Sequence, residues 1–310
     1  MMKKTIFLVA VMAAICVGAF AQSTREEYLN RYNLLSSKLG LDGVGIESLL
    51  VKWEGAYPDD VNMLSAAFLY YYAKCQSSST ISSDKPSYLG KDPVLELKDS
   101  LGNPVYYYED IVYDDEMFGT ARKYIDKLNR LYPDRLENRC AAATALANYE
   151  KGSPDMALSE LVKLIDYNYT QHPEWTYSGS PADDETFRTL MQEYCYSFFK
   201  TGTASGYEAF RSLAEKMLQH NPDDVVFLDD IGSYYLVCKG DDKNALKYYN
   251  KVLKLKKDDI TAIKNCIILA RKSRNVKLEK KYLPMMIQYG EDEASRKAAE
   301  VRLNALNGPK

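Results

Sequence analysis

Leu228-Asp-Asp-Ile231-Gly232-Ser-Tyr-Tyr235, followed ten residues later by Ala245-Leu-Lys-Tyr-Tyr249, decides the fold of this 310-residue chain. Apolar residues recur at three- and four-residue spacing on both sides of Gly240-Asp241, which reads as two amphipathic helices joined by a tight turn. Gly232 and Ala245 are the small residues that let two antiparallel helices approach, and Leu228, Ile231, Tyr235, Tyr249 and Val252 are expected in the seam between them.

Working outward, four short marks punctuate the chain: Tyr57-Pro58-Asp59-Asp60, Tyr132-Pro133-Asp134-Arg135, Asn221-Pro222-Asp223-Asp224 and Lys256-Lys257-Asp258-Asp259. In the first three, Pro stops one helix and Asp offers an oxygen to cap the next. Pro222 and Lys257 are 35 residues apart, close to the helix-turn-helix period of about 34 residues. With that period, Leu228-x-x-Ile231-Gly232-x-x-Tyr235 and Ala245-x-x-x-Tyr249 resemble the Trp-x-x-Leu-Gly-x-x-Tyr and Ala-x-x-x-Phe signature of the tetratricopeptide-repeat family. Leu228 stands in place of Trp, Lys257 in place of the closing Pro, and the first helix is one residue longer than the family pattern. Ala157-x-x-x-Leu161, five residues after Gly152 begins the turn, repeats the spacing. The resemblance is best from Leu136 to Gln288.

The resulting expectation is an all-α fold, a TPR-like α-solenoid of about six helix pairs with a C-terminal capping helix and a β-hairpin insertion. The pairs are Thr24 to Leu39 with Gly45 to Gly55, Val61 to Cys75 with Asp115 to Leu131, and Arg135 to Glu150 with Pro154 to Tyr167. Then come Asp183 to Phe199 with Ser205 to His220, Asp224 to Cys238 with Asp242 to Leu255, and Asp259 to Lys272 with Val276 to Gln288. Residues 291–306 form the capping helix, with a polar outer face closing the stack. Two insertions interrupt the period. Residues 77–113 contain a hairpin, Pro93 to Lys98 against Val105 to Asp110, turning at Leu101-Gly102-Asn103-Pro104. Residues 168–182 form a loop without helical period.

Lys3 and Lys4 precede an apolar run from Ile6 to Phe20 that closes in Ala19-Phe20-Ala21, the form of a signal peptide over residues 1–21, cleaved between Ala21 and Gln22. The run is shorter than the roughly 20 residues of a membrane span, so a periplasmic or secreted location is expected in preference to a membrane anchor or a lipid anchor on Cys16. Losing both leader lysines moves the net charge from −3 to −5, and no long basic run suggests nucleic acid. Cys75, Cys140, Cys195, Cys238 and Cys266 are widely spaced and read as buried thiols, not a disulfide framework. His172 and His220 are the two histidines. No cofactor, no metal and no nucleophile-base set are expected, and hence no enzyme. Asp183-Asp184 and Asp114-Asp115-Glu116 read as helix caps.

The composition is notable for 26 Tyr beside 9 Phe and 2 Trp. Tyr serves core and contact surfaces alike, and the ambiguity concentrates in the insertions. Tyr106 and Tyr108 share one strand face, which leaves Tyr107 as the exposed candidate. Tyr169, His172, Trp175 and Tyr177 crowd the loop, which is the first choice for a binding site. The resemblance implies a third candidate, a concave groove lined by the first helix of each pair: Asn138 and Asn148, then Asp229, Ser233 and Leu236, then Lys264 and Arg271. The functional expectation is a non-enzymatic scaffold in the periplasm that binds a peptide or protein partner of the cell envelope. The rival is a carbohydrate- or peptide-binding component of a surface uptake system, using the aromatic loop.

Overall fold

The computed structural model describes residues 23–308; the expected signal peptide and its cleavage point lie outside them. The described chain is a succession of helices: α1 (Arg25–Leu39), α2 (Ile46–Ala56), α3 (Val61–Lys74), α4 (Asp115–Leu131), α5 (Leu136–Glu150), α6 (Asp155–Gln171), α7 (Asp184–Lys200), α8 (Ala204–His220), α9 (Val225–Ser233), α10 (Asp242–Leu255), α11 (Ile260–Lys272), α12 (Val276–Tyr289) and α13 (Glu293–Asn307). The strands are β1 (Gln76–Ser83), β2 (Leu95–Lys98), β3 (Pro104–Tyr113), β4 (Thr176–Tyr177) and β5 (Ser180–Pro181). This is the expected class, helix pairs with a β insertion.

The chain divides into two compact units: one of the residues up to Ser79 together with Ile111–Pro133, the other of Thr80–Asp110 together with Asp134 onward. In the first unit, α1 packs on α2, α2 on α3 and α3 on α4. Its core uses tyrosine as an apolar plate with a polar rim. Trp53 stacks on Tyr28 at 5.7 Å, and Tyr71 on Tyr124 at the same distance. The Tyr124 hydroxyl donates to Glu54 (2.9 Å), and the Tyr70 hydroxyl to Glu47 (3.0 Å).

In the second unit, α5 pairs with α6, α7 with α8, α9 with α10 and α11 with α12, and α13 lies on α12. The start signals act as read: Asp224 accepts from the Val226 amide (3.0 Å), Asp259 from Ala262 (3.1 Å) and Asp183 from Thr186 (2.8 Å). Such a cap contributes about 1 kcal/mol. The second mark differs, since Arg135 makes no side-chain cap. Gly232 has its expected role, because a Cβ there would meet the Tyr249 ring at 2.6 Å. The extra residue in the first helix of this pair is absorbed by a π-helical turn, Tyr234–Lys239, which follows α9 directly. A π turn holds one residue more than an α turn and re-aims the side chains after it. Tyr234 is consequently the buried residue, and Tyr235, expected in the seam, is half-buried and stacked on Tyr248 at 5.7 Å.

The first insertion is a hairpin with an unexpected third strand, in the order β1-β3-β2. Leu95 pairs with Tyr107 and Lys98 with Pro104, and the turn is held by Asp99 accepting from the amides of Leu101 (2.8 Å) and Asn103 (2.9 Å). Sequence reading missed β1 because Gln76–Ser83 is a polar run of mostly Ser and Thr. Near the far end of the insertion, Gly90, with φ +72°, lies against the Lys200 carbonyl, where a Cβ would not fit. Asp110 pairs with Lys151 at 2.6 Å. The final helix does not present the expected polar outer face throughout: Ala294, Ala298, Val301 and Ala305 line a shallow depression between Lys297 and Arg302.

Candidate functional site

The first helices of three successive pairs, α7, α9 with its π turn, and α11, line a pocket of about 230 Å³ in the second unit. From α7 come Gln192, Tyr196 and Phe199, spaced four and three residues apart and therefore on one helix face. Asp230 and Ser233 come from α9, Leu236 and Val237 from the π turn, and Asn265 from α11. Phe210 of α8 and Tyr249 of α10 close it from behind. α7 and α9 are tied to one another by Arg188 of α7, whose guanidinium donates to both oxygens of Asp224 (2.6 and 3.1 Å) while that carboxylate caps α9. The mouth is apolar and open, with Tyr196 62% and Val237 54% exposed.

The floor is polar and incompletely satisfied. Asp230 is 9% exposed; its Oδ1 accepts from the Gln192 amide at 3.3 Å, while its Oδ2 and the Gln192 Oε1 receive no hydrogen bond. The neighbouring Cys195 thiol is directed at the carbonyl of Phe210, 4.0 Å away. Burial pushes the Asp230 carboxyl up to about 7, against the opposing pull of Gln192 and Cys195. Asp229 is buried as well, with Oδ1 unpartnered, and its carboxyl is pushed to about 8 by burial first and then by the adjacent Asp259 and Asp230. Each unsatisfied buried acceptor costs about 1–3 kcal/mol, and three of them, Gln192 Oε1, Asp229 Oδ1 and Asp230 Oδ2, fall in this part of the stack.

The lining is mainly aromatic and aliphatic, with Gln192, Asp230, Ser233 and Asn265 as its polar groups. The Ser233 hydroxyl lies 3.2 Å from that of Tyr249, which is no base for it. His220 stacks on Tyr169 at 4.0 Å, beside Asp166. Among the described residues no group of three His, Cys, Asp or Glu could hold a metal ion. Cys75, Cys140, Cys195 and Cys266 are buried, Cys238 is half-buried, and all five are unpaired.

Of the groove residues expected from the sequence, the structure brings Ser233 and Leu236 to the pocket. Asp229 is one position off, and its neighbour Asp230 lines the wall; Lys264 is exposed, and its neighbour Asn265 lines it. Asn138 is buried in α5, and Asn148 is exposed at the far end of the same helix. Arg271 serves a different purpose: it donates to Glu279 at 2.8 Å, as does Arg302. Its guanidinium is held by a buried carboxylate of the partner helix while half of its side chain stays exposed, and it is not among the residues lining the pocket.

The insertions also differ from expectation. Trp175 is 4% exposed, donates Nε1–H to Asn168 (2.8 Å) and stacks near Phe187, so it is a core residue and not a platform. Tyr169 belongs to α6, which runs four residues past its expected end. Tyr177 is half-buried in the short β4-β5 hairpin, where the preceding Thr176 amide donates to the Asp134 carbonyl at 3.0 Å. Tyr107 is half-buried, like Tyr106, because β3 is the central strand; Tyr108 is buried and donates to the Lys85 carbonyl. The pocket-lining residues that sequence reading missed include Gln192, Tyr196, Asp230 and Asn265. The signal available was Asp229-Asp230 inside the apolar run Val225 to Tyr235, because two consecutive charges on a packed helix cannot both reach water.

No family model and no curated protein matches the chain. Among solved structures it is similar to pilF of Pseudomonas aeruginosa, at 17% identity and a TM-score of 0.39 over 61% of this chain and 77% of that one. It is also similar to YrrB, described as a TPR protein with an unusual peptide-binding site (14%, 0.35, 81% and 95%). A third likeness is to the flexible tandem repeat domain of a bacterial cellulose synthase (12%, 0.27, 92% and 98%). These likenesses are loose, and the repeat organisation rests on the helix pairs themselves.

Proposed function

We propose that this protein is a non-catalytic binding scaffold of the cell envelope, which holds an extended peptide or protein segment along the first-helix face of its second unit. The observation that carries the reading is the pocket on that face: an exposed aromatic and aliphatic mouth over a floor of unanswered hydrogen-bond acceptors. Apolar anchoring with a few convergent polar groups is the usual form of a recognition site. The charged, apolar and small residues of the leader support export, and among the described residues no helix is long and apolar enough to cross a membrane. The aromatic loop gives a carbohydrate-binding reading no support, since its Trp is consumed in packing.

The test is a photo-crosslinking amino acid in place of Tyr196, on the native full-length protein in its own envelope. A discrete protein adduct at that position, absent when the crosslinker replaces the exposed Val301 of α13, is the expected result. Equal labelling at both positions would overturn the groove reading. Mass spectrometry of the same material tests export, which requires a chain beginning at Gln22.

A further inference from the structure

The pocket specifies what kind of side chain it accepts. Resting on the groove reading above, we infer that it takes the cationic end of an Arg or Lys from the bound segment, stem along the aromatic walls and charge at Asp230.

Size sets the first limit. At about 230 Å³ the pocket falls below the usual range for small-molecule and cofactor sites, about 300–1,000 Å³, and matches a single side chain. Hydrogen bonding sets the second. The Asp230 Oδ2 and the Gln192 Oε1 are acceptors without donors, so an apolar occupant would seal them off unpaired and a carboxylate would add repulsion. A neutral donor could answer one acceptor without favouring the ionised carboxylate, whereas guanidinium and ammonium groups are donors only and carry the charge that matches it.

Charge sets the third limit. No Lys or Arg is among the lining residues, and the second buried carboxylate, Asp229, lies next in sequence. Lys256 acts on Asp229, but no Lys or Arg acts on Asp230, unlike Asp224, which Arg188 holds. The rings of Tyr196, Phe199, Phe210 and Tyr249 supply faces that favour a cation over a neutral chain. Burial already holds the Asp230 carboxyl near neutrality, so an arriving cation needs little work to ionise it fully.

The experiment uses fluorescent nonapeptide libraries with degenerate flanks and a fixed central residue: Arg, Lys, norleucine, Phe or Glu. Binding to the full-length native protein is read by anisotropy. The Arg and Lys libraries are expected to bind at least about tenfold more tightly than norleucine, the difference that one charge-assisted hydrogen bond supplies, with Glu weakest. Asp230→Asn, which keeps the shape and removes the charge, is expected to erase most of that preference, whereas Tyr196→Ala weakens every library alike. Norleucine or Phe binding as tightly as Arg would overturn the basic anchor while leaving the groove standing. Failure of every library to bind native protein would overturn both. The ranking on native protein decides the matter even if a variant folds poorly.

Discussion

Glu279 of α12 and Asp230 of α9 are both carboxylates removed from water within one repeat stack, yet their surroundings are opposite. Glu279 is 2% exposed and is gripped by Arg271 and by Arg302, whose fork donates at 2.8 and 2.9 Å, so its carboxyl is held below the usual range, the Arg302 hydrogen bond contributing most. Asp230 has one long bond from Gln192, the weak pull of the Cys195 thiol and an oxygen with no donor within hydrogen-bond distance, and burial raises its carboxyl. A buried charge that the chain neutralises is part of the architecture; one that it leaves open costs stability, and that cost is the mark of a surface shaped for something else.

The sharpest way to break this contrast is pH. In the native chain Asp230 and Asp229, raised to about 7 and about 8, hold protons that the unfolded chain releases near its ordinary value of about 4. Stability therefore falls as pH rises through that window. The expected loss is on the order of 6 kcal/mol between about pH 5 and about pH 8, about half from each carboxyl, read as a falling urea midpoint. Glu279 acts in the opposite sense, contributing stability above the ordinary carboxylate range and losing it in acid. Asp230→Asn reduces the slope of the upper limb, leaving the part due to Asp229, and keeps the acid limb intact; an unchanged upper limb would mean that Asp230 is not a buried ionisable group.

Next in size is the double variant Arg271→Met with Arg302→Met, which strands Glu279. A loss of about 2–3 kcal/mol is expected, with no change in groove binding, and a chemical denaturation curve measures the first. Gly232→Ala tests the wall of the pocket. The added methyl presses on the Tyr249 ring, and a net loss of about 1–2 kcal/mol is expected despite the better helix propensity, with altered Tyr fluorescence as a local reporter. The smallest effect belongs to Asp292→Ala. Its carboxylate caps α13 through the Ser295 amide at 2.7 Å, and removal should cost about 1 kcal/mol, seen as faster amide exchange in the first turn of the helix that carries Arg302.

Helix pairing was legible because its signals are local. The Asp caps, the Pro stops and the small Gly232-Ala245 pair each act within a turn or two of their own position, and the helix ends mostly fall within a residue or two of expectation. The groove was legible only by helix. Which residue of a packed helix faces the pocket depends on how that helix is rotated against its neighbours, which a period of 3.6 does not fix; the expected positions Asp229 and Lys264 lie one residue beside the lining ones, Asp230 and Asn265. The aromatic loop misled for a related reason, since whether Trp175 meets solvent depends on Asn168, seven residues earlier in α6, and on Phe187 of α7.

The sequence by itself determined that this chain folds as paired helices, where they start and stop, and that a hairpin interrupts them, because capping, periodicity and turn chemistry are written within a few neighbouring residues. Tertiary structure alone decided which charges are answered. Arg271 meets Glu279 and no cation reaches Asp230, and that difference depends on which helix faces come together in space.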